Sequence, residues 1–154
     1  MPFTLTSPAF NDGQPIPTRY TQDGENLSPP LVWSDPPPQT RSFVLILEDP
    51  DAPTGLFRHW GLYNLARGRD RLPEGVDHGV PIEDLGEAEN DFGHPRYDGP
   101  APPPGDAPHR YVFRLAALDV ETLSQAPNLR VAEAWDAAQE HVIGQAVLTG
   151  TYHR

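Results

Sequence analysis

The 154-residue chain contains no cysteine, and this absence removes several kinds of site. Disulfide bonds, thiol catalysis and thiolate metal centres all require a cysteine side chain. No apolar run approaches the roughly 20 residues of a transmembrane helix, and the first residues lack the basic start and apolar stretch of a secretory signal. The sequence therefore predicts a cytoplasmic protein without integral membrane association, stabilised by packing alone.

Basic residues are scarce, because 22 Asp and Glu outnumber 11 Lys and Arg. The formal net charge of −11 gives a surface that repels the phosphates of nucleic acid at long range. Nucleic acid is therefore not an expected partner. A small anion could be attracted only locally, by backbone N–H groups, histidines and a few arginines gathered in one cavity.

The pattern of apolar residues predicts a mainly β protein. Twenty prolines and thirteen glycines leave little room for long helices. Short apolar blocks with the character of strands lie between the proline and glycine clusters. They cover residues 3–5, 31–33, 42–48, 60–65, 111–118 and 146–152. We predict one domain over residues 1–154, an antiparallel β-sandwich with one or two C-terminal helices.

Residues 42–49 form an almost continuous apolar run, as in a central strand buried on both faces. We expect this strand to pair with the one over residues 110–119 near the core. Residues 67–90 show the least pattern and are predicted as a long surface excursion.

One segment has helical periodicity. After Asn128 as a predicted N-cap, apolar residues recur at three- and four-residue steps up to Gly144. The residues on this face are Val131, Ala134, Trp135, Ala138 and Val142. The pattern predicts an amphipathic helix with one face on a sheet.

Polar side chains that suit anion binding stand at the ends of predicted strands. Asp49 and Asp51 follow one strand, and His59 and His109 open two others. If neighbouring strands bring these ends together, one rim carries two imidazoles and two carboxylates. A carboxylate that accepts from one ring nitrogen would leave the other nitrogen to face a ligand.

A structural interpretation competes at each of these positions. Aspartates beside proline commonly close turns through their own backbone, and a single histidine is often a satisfied, partly buried side chain. The pattern alone leaves both alternatives open. Phe57 and Trp60 are expected to be core residues rather than a ligand platform.

A hydrolase or metal-binding enzyme that uses the same His and Asp residues is the functional alternative. Such pairs serve acid–base catalysis, and imidazole and carboxylate suit zinc. However, the sequence contains no Gly-x-Ser-x-Gly elbow, P-loop or HExxH motif, and no short-spaced ligand pair. We therefore expect a binding protein and not an enzyme, with no cofactor and no metal.

Three segments, in this order and spacing, resemble the phosphatidylethanolamine-binding protein family in its bacterial Raf-kinase-inhibitor-like branch. They are GENLSPPLVWSDPPPQTRSFVLILEDPDAP from residue 24, RHWGLYNL from residue 58 and GPAPPPGDAPHRYVFRLAALD from residue 99. The combination of DPDAP with PHRYVF is specific, and the resemblance covers about residues 4–152. It implies a β-sandwich whose pocket accepts phosphate-type or small carboxylate anions.

The resemblance also implies site residues and partners. Matched motif by motif, the ligand-binding residues are Asp49, Asp51, His59, Gly99, Pro102, Pro103, His109, Arg110 and Tyr111. In the family, aspartate and histidine side chains hold the ligand by hydrogen bonds. Because members bind phospholipid headgroups or inhibit kinases and proteases, a kinase or protease is a further implied partner.

The chain departs from the family pattern at three positions. Asp98 stands where bacterial relatives usually have a second glycine before Gly99, which adds a negative charge near the expected anion site. Gly61 follows Trp60 where valine is common, which predicts a looser pocket floor. Gln22 replaces a common cysteine.

Overall fold

The computed structural model describes residues 2–76, 85–124 and 129–154, which form two antiparallel sheets and one α-helix. The strands are β1 (Thr4–Thr6), β2 (Leu31–Ser34), β3 (Ser42–Asp49), β4 (Phe57–Ala66), β5 (Arg71–Leu72), β6 (Gly86–Glu87), β7 (His109–Leu118) and β8 (Val142–Tyr152). The small sheet has the order β1-β2-β5, and the large sheet has the order β6-β4-β3-β7-β8. The predicted antiparallel β-sandwich is confirmed.

The core between the two sheets is built from alternate residues of their strands. Strand β3 is buried along its whole length, because Phe43, Leu45 and Leu47 face the small sheet while Val44 and Ile46 face the opposite side. Burying each such side chain stabilises the fold by roughly 1.5–3 kcal/mol. Strand β3 pairs with β7 and β4, so the predicted central position and the predicted pairing are both confirmed.

Helix α1 (Val131–Ala138) covers the other face of the large sheet. Val131, Ala134 and Ala138 are buried there. The helix begins after Arg130, whose backbone N–H donates to the Glu133 carboxylate at 2.9 Å. The predicted N-cap, residue 128, lies outside the described residues.

The predicted C-terminal end of this helix is wrong. Helix α1 stops at Ala138, a 3-10 turn follows, and Val142 already pairs with Leu118 as the first residue of β8. Val142 and Ile143 are β-branched and gain more from the strand ladder than from a helix. Gly144 is a close-approach residue within this strand, since a Cβ there would lie 2.8 Å from the ring of Pro37.

Two other sequence expectations change in the structure. Trp135, predicted on the apolar face of the helix, packs against the buried cluster but is only half-buried itself. The predicted excursion over residues 67–90 contains β5 and β6, although residues 77–84 are not described. Both strands have only two residues, which is too short to produce a period-2 pattern.

The register of the large sheet positions the candidate site. Because β4 and β7 both run antiparallel to β3, the end of β3 lies beside the starts of both neighbours. Asp49 pairs with Phe57, and Glu48 pairs with Val112. The polar residues predicted at strand ends therefore meet at one edge of the sheet.

Gly61 belongs to the helix contact and not to a pocket floor, which corrects the expectation from sequence. A Cβ on Gly61 would lie 2.9 Å from Cγ2 of Val131. The absent side chain therefore lets helix α1 approach strand β4.

We predict that Gly61→Ala lowers the free energy of unfolding by about 1–3 kcal/mol, because the new methyl group overpacks against Val131. Urea unfolding of the single and double variants measures this, and Val131→Ala should offset part of the loss in a double-mutant cycle. Gly68→Ala is the control, since no atom lies within 4 Å of its Cβ position. Equal destabilisation by Gly61→Ala and Gly68→Ala would contradict the close packing of Gly61 against Val131.

Candidate functional site

A cavity of about 240 Å³ opens at the edge where β3 ends and β4 and β7 begin. Of the sequence-predicted site residues it is lined by Asp49, His59, Pro102, Pro103, His109 and Tyr111. The other lining residues are Ala52, Pro53, Thr54, Phe57, Phe92 and Ala101. Gly99, Asp51 and Arg110 lie outside this lining.

Asp49 is the buried carboxylate of the cavity, with 3% of its surface exposed. One oxygen, Oδ1, accepts the Asp51 backbone N–H at 2.7 Å and closes the turn after β3. The other oxygen, Oδ2, lies 2.7 Å from Nδ1 of His109. Asp49 therefore has both roles that the sequence left open, since it closes a turn and orients a histidine.

His109 is held between two carboxylates. Its Nδ1 faces Asp49, and its Nε2 lies 3.0 Å from Oδ2 of Asp106. Burial lowers the pKa of His109, but the hydrogen bonds to Asp49 and Asp106 outweigh it, so the pKa is raised above its usual value. Both ring nitrogens donate when the imidazole is protonated, and this protonated form neutralises Asp49.

His59 has the opposite electrostatic environment. It is 4% exposed, and its Nδ1 lies 2.7 Å from the Asp98 carbonyl oxygen. Burial lowers the pKa of His59, and the backbone of Asp98 and Gly99 together with the charges of Asp49 and Asp98 offset this only in part. A carbonyl can only accept, so Nδ1 carries the hydrogen and Nε2 of the neutral ring is an acceptor.

The Tyr111 ring packs against both histidines. Its ring centroid is 5.5 Å from that of His59 and 6.3 Å from that of His109. Burial, followed by the charge of Asp49 and a hydrogen bond to it, raises the pKa of Tyr111. The phenol therefore keeps its hydrogen and turns it toward Asp49.

Two phenylalanines form an apolar wall beside His59. The Phe57 centroid lies 5.1 Å from His59 and 4.7 Å from Phe92. Phe57 is only half-buried and lines the cavity, so the expectation that it is a core residue is wrong. Trp60 is fully buried, as predicted. Phe92 stands in a loop without periodicity, and sequence reasoning missed it.

Asp51 and Arg110 form a forked ion pair on the outer side of the cavity. Arg110 Nε donates to Oδ2 of Asp51 at 3.0 Å and Nη2 donates to Oδ1 at 2.9 Å. These hydrogen bonds lower the pKa of the Asp51 carboxyl to about 2. The pair ties the turn after β3 to β7 and supports the cavity from outside.

Gly99 supports the proline loop from behind. Its N–H donates to Oδ1 of Asn26 at 2.7 Å, and its carbonyl accepts from Gln22 at 3.1 Å. A Cβ at this position would lie 2.2 Å from the Tyr20 carbonyl oxygen. The glycine is therefore required by close packing, and Gln22 anchors the loop in place of the common cysteine.

The described residues contain no group of three or more His, Asp or Glu side chains arranged to hold a metal ion. In the same part of the chain, no helix is long and apolar enough to cross a membrane.

Comparison with known proteins identifies the family. The model of the phosphatidylethanolamine-binding protein family matches residues 6–153. The chain is 43% identical over 151 residues to a UPF0098 protein of Methanothermobacter thermautotrophicus, covering 97% of this chain and 98% of that protein. A homologue from Chlamydia trachomatis has a similar structure, with a TM-score of 0.89 and 40% identity over 99% of this chain and 98% of that one.

The Escherichia coli member YbcL is similar over 100% of this chain and 99% of its own, with a TM-score of 0.93 and 30% identity. The chain belongs to the phosphatidylethanolamine-binding protein family, and the resemblance found in the sequence is confirmed.

Two further relatives bear on partners and location. The carboxypeptidase Y inhibitor, solved with its cognate proteinase, shares the fold alone, with a TM-score of 0.56 and 20% identity over 98% of this chain and 82% of that one. A Mycobacterium tuberculosis relative, 37% identical over 98% of this chain and 72% of its own length, carries lipoprotein in its name. The cytoplasmic location therefore stays a prediction.

We predict that the two cavity histidines titrate on opposite sides of the ordinary value of about 6.5, which NMR of the ring protons against pH measures. Because the folded-state pKa of His109 is raised, its contribution to stability is present below about pH 6.5 and is lost as the pH rises through the folded-state pKa. The contribution of His59, whose pKa is lowered, is present above about pH 6.5 and is lost as the pH falls through its folded-state pKa.

The variants His59→Gln and His109→Gln assign the two resonances. A pKa of His59 above that of His109 would contradict the environments assigned to the two rings.

Proposed function

We propose that this protein binds a small organic anion, of phosphate type or a carboxylate, in the cavity lined by Asp49, His59, His109 and Tyr111. One observation carries the proposal. The buried His59 ring lines a cavity of about 240 Å³, and its Nδ1 lies 2.7 Å from the backbone carbonyl oxygen of Asp98. Concave sites with few polar groups and apolar walls are typical of small-molecule binding.

The local charges are compatible with an anion despite the net charge of −11. The buried carboxylate of Asp49 lies 2.7 Å from His109, and the raised pKa of His109 favours the protonated form that balances this charge. The second carboxylate on His109, Asp106, is 42% exposed, so water screens it. The carboxylate of Asp49 inside the cavity therefore has a partner, although the protein surface as a whole is negative.

The state of His59 favours a particular form of ligand. Because Nε2 is an acceptor in the neutral ring, a bound group must bring a hydrogen of its own. A phosphate monoester in its monoanionic form presents one P–OH group besides its anionic oxygens. A carboxylate at neutral pH has no such donor, so the cavity suits phosphate-type ligands better.

The apolar wall of the cavity indicates the chemistry of the ligand beyond its anionic group. Phe57 and Phe92 lie beside His59, and Pro53, Pro102 and Pro103 belong to the same lining. These side chains offer no charge to a second polar group. A short organic substituent on the phosphate is therefore expected to contact them.

Regulation of a kinase or protease, implied by the family resemblance, stays a prediction that rests on the family alone. The expectation that the protein is not an enzyme also stays a prediction. Both concern partners and turnover, and the binding proposal requires neither.

We predict saturable NMR shifts at the rings of His59 and His109, and a raised melting temperature, on titration with phosphate and phosphoethanolamine. Acetate should bind more weakly, and zinc should have no specific effect. His59→Ala should abolish the response. His141→Ala is the matched control, because this histidine pairs with Asp119 at 3.2 Å on the surface.

The affinity for phosphoethanolamine should fall as the pH rises from about 5 to 8, because the ligand loses its second proton near pH 6 and His109 loses its charge. Following the release of inorganic phosphate in the same samples tests for hydrolysis. Tighter binding at high pH, or equal responses from His59→Ala and wild type, would contradict the proposal.

A further inference from the structure

Asp98, which the sequence marks as a departure from the family, has a buried carboxylate with several partners. Its side chain is 5% exposed. Oδ2 accepts from Asn90 Nδ2 at 2.9 Å and lies 2.8 Å from His94 Nδ1. Oδ1 accepts from Arg96 Nε at 3.2 Å and Asn26 Nδ2 at 3.3 Å. The negative charge is therefore met by several side-chain donors, and Asp98 is not among the residues that line the cavity.

The backbone of Asp98 holds His59 directly. The Asp98 carbonyl accepts from Nδ1 of His59 at 2.7 Å, and the Asp98 N–H donates to the His59 carbonyl at 3.4 Å. Asn90 reinforces this link, because its Nδ2 also reaches the His59 carbonyl at 3.1 Å. One residue thus contacts both the ring and the backbone of His59.

The same cluster shapes the wall of the cavity. Oδ1 of Asn90 accepts the backbone N–H groups of Phe92 at 3.0 Å and His94 at 3.1 Å. The loop that carries Phe92 is therefore tied to the side chain that Asp98 binds. A change in the Asp98 carboxylate would reach the cavity through both His59 and Phe92.

The consequence for binding follows from the geometry of the peptide group. The carboxylate of Asp98 is anchored by its donors, and the carbonyl of the same residue is thereby held in place against His59. A fixed carbonyl at Nδ1 selects the neutral tautomer with hydrogen on that nitrogen. If the carbonyl moved, the ring could take the other tautomer, and Nε2 would become a donor.

We infer that Asp98 is the positioning residue that makes His59 a hydrogen-bond acceptor, so that the cavity selects oxyanions that carry a proton, such as hydrogen phosphate, over fully deprotonated ones, such as sulfate. Phosphate and sulfate have nearly the same size and shape, and only phosphate keeps a hydrogen at neutral pH. A site built to bond a ligand hydrogen rejects an analogue that lacks it. The ligand part of this inference rests on the proposed function, whereas the tautomer part does not.

The test combines two measurements on wild type and Asp98→Asn. Nitrogen-15 NMR of the imidazole rings reports the tautomer of His59 without any ligand. Titration with inorganic phosphate and inorganic sulfate gives the ratio of the two affinities. Asp70→Asn is the control, because this carboxylate pairs with Arg71 on the exposed surface.

We expect wild type and Asp70→Asn to keep the Nδ1–H tautomer and to prefer phosphate by about tenfold or more. In Asp98→Asn the amide group cannot accept from all the donors, so a mixture of tautomers and a ratio near one are expected. His94→Ala removes one donor from a half-exposed position and should shift both readouts in the same direction, even if Asp98→Asn does not fold.

An unchanged tautomer and an unchanged affinity ratio in these variants would overturn the inference. If the tautomer shifts as expected but wild type binds neither anion, the positioning role of Asp98 is supported and the proposed function fails. Preference of wild type for sulfate would overturn the selectivity.

Discussion

The hydrogen bond between Asp49 and His109 is the interaction on which the candidate site depends. A carboxylate buried to this degree is costly unless charged or polar donors satisfy it. The His109 imidazole at 2.7 Å and the Asp51 N–H supply those donors. The same contact joins the end of β3 to the start of β7, so the electrostatics of the site and the pairing of its strands reinforce each other.

Two histidines of one cavity acquire different roles through their partners. Carboxylates on both sides of His109 favour its charged form, whereas burial lowers the pKa of His59 and a backbone carbonyl holds the ring hydrogen on Nδ1. One imidazole therefore lies against the buried charge, while the other is the acceptor in the proposed ligand contact. Asp98 does not itself line the cavity, yet it contributes to this division because its carbonyl contacts the lining residue His59.

Much of the fold could be predicted from sequence, because apolar runs and proline clusters report local structure directly. Strand β3 and its pairing with β7 follow from an almost continuous apolar run. The end of helix α1 could not be predicted in this way, because Val142 fits either period and tertiary pairing with Leu118 decides it. The two-residue strands β5 and β6 form by pairing with β2 and β4 and are too short to leave a periodic pattern in the sequence.

The positions of Asp49, His59 and His109 at strand ends predicted a common rim, and the antiparallel register brings these residues together. Three residues of the site left no signal in the sequence, because each acts through a loop conformation: Asp106, Phe92 and Asn90.

A crystal structure with inorganic phosphate tests most directly the central claim that the cavity binds this anion. We expect a phosphate oxygen within hydrogen-bond distance of Nε2 of His59. Phosphate bound elsewhere on the protein, with only water in this cavity, would contradict the claim.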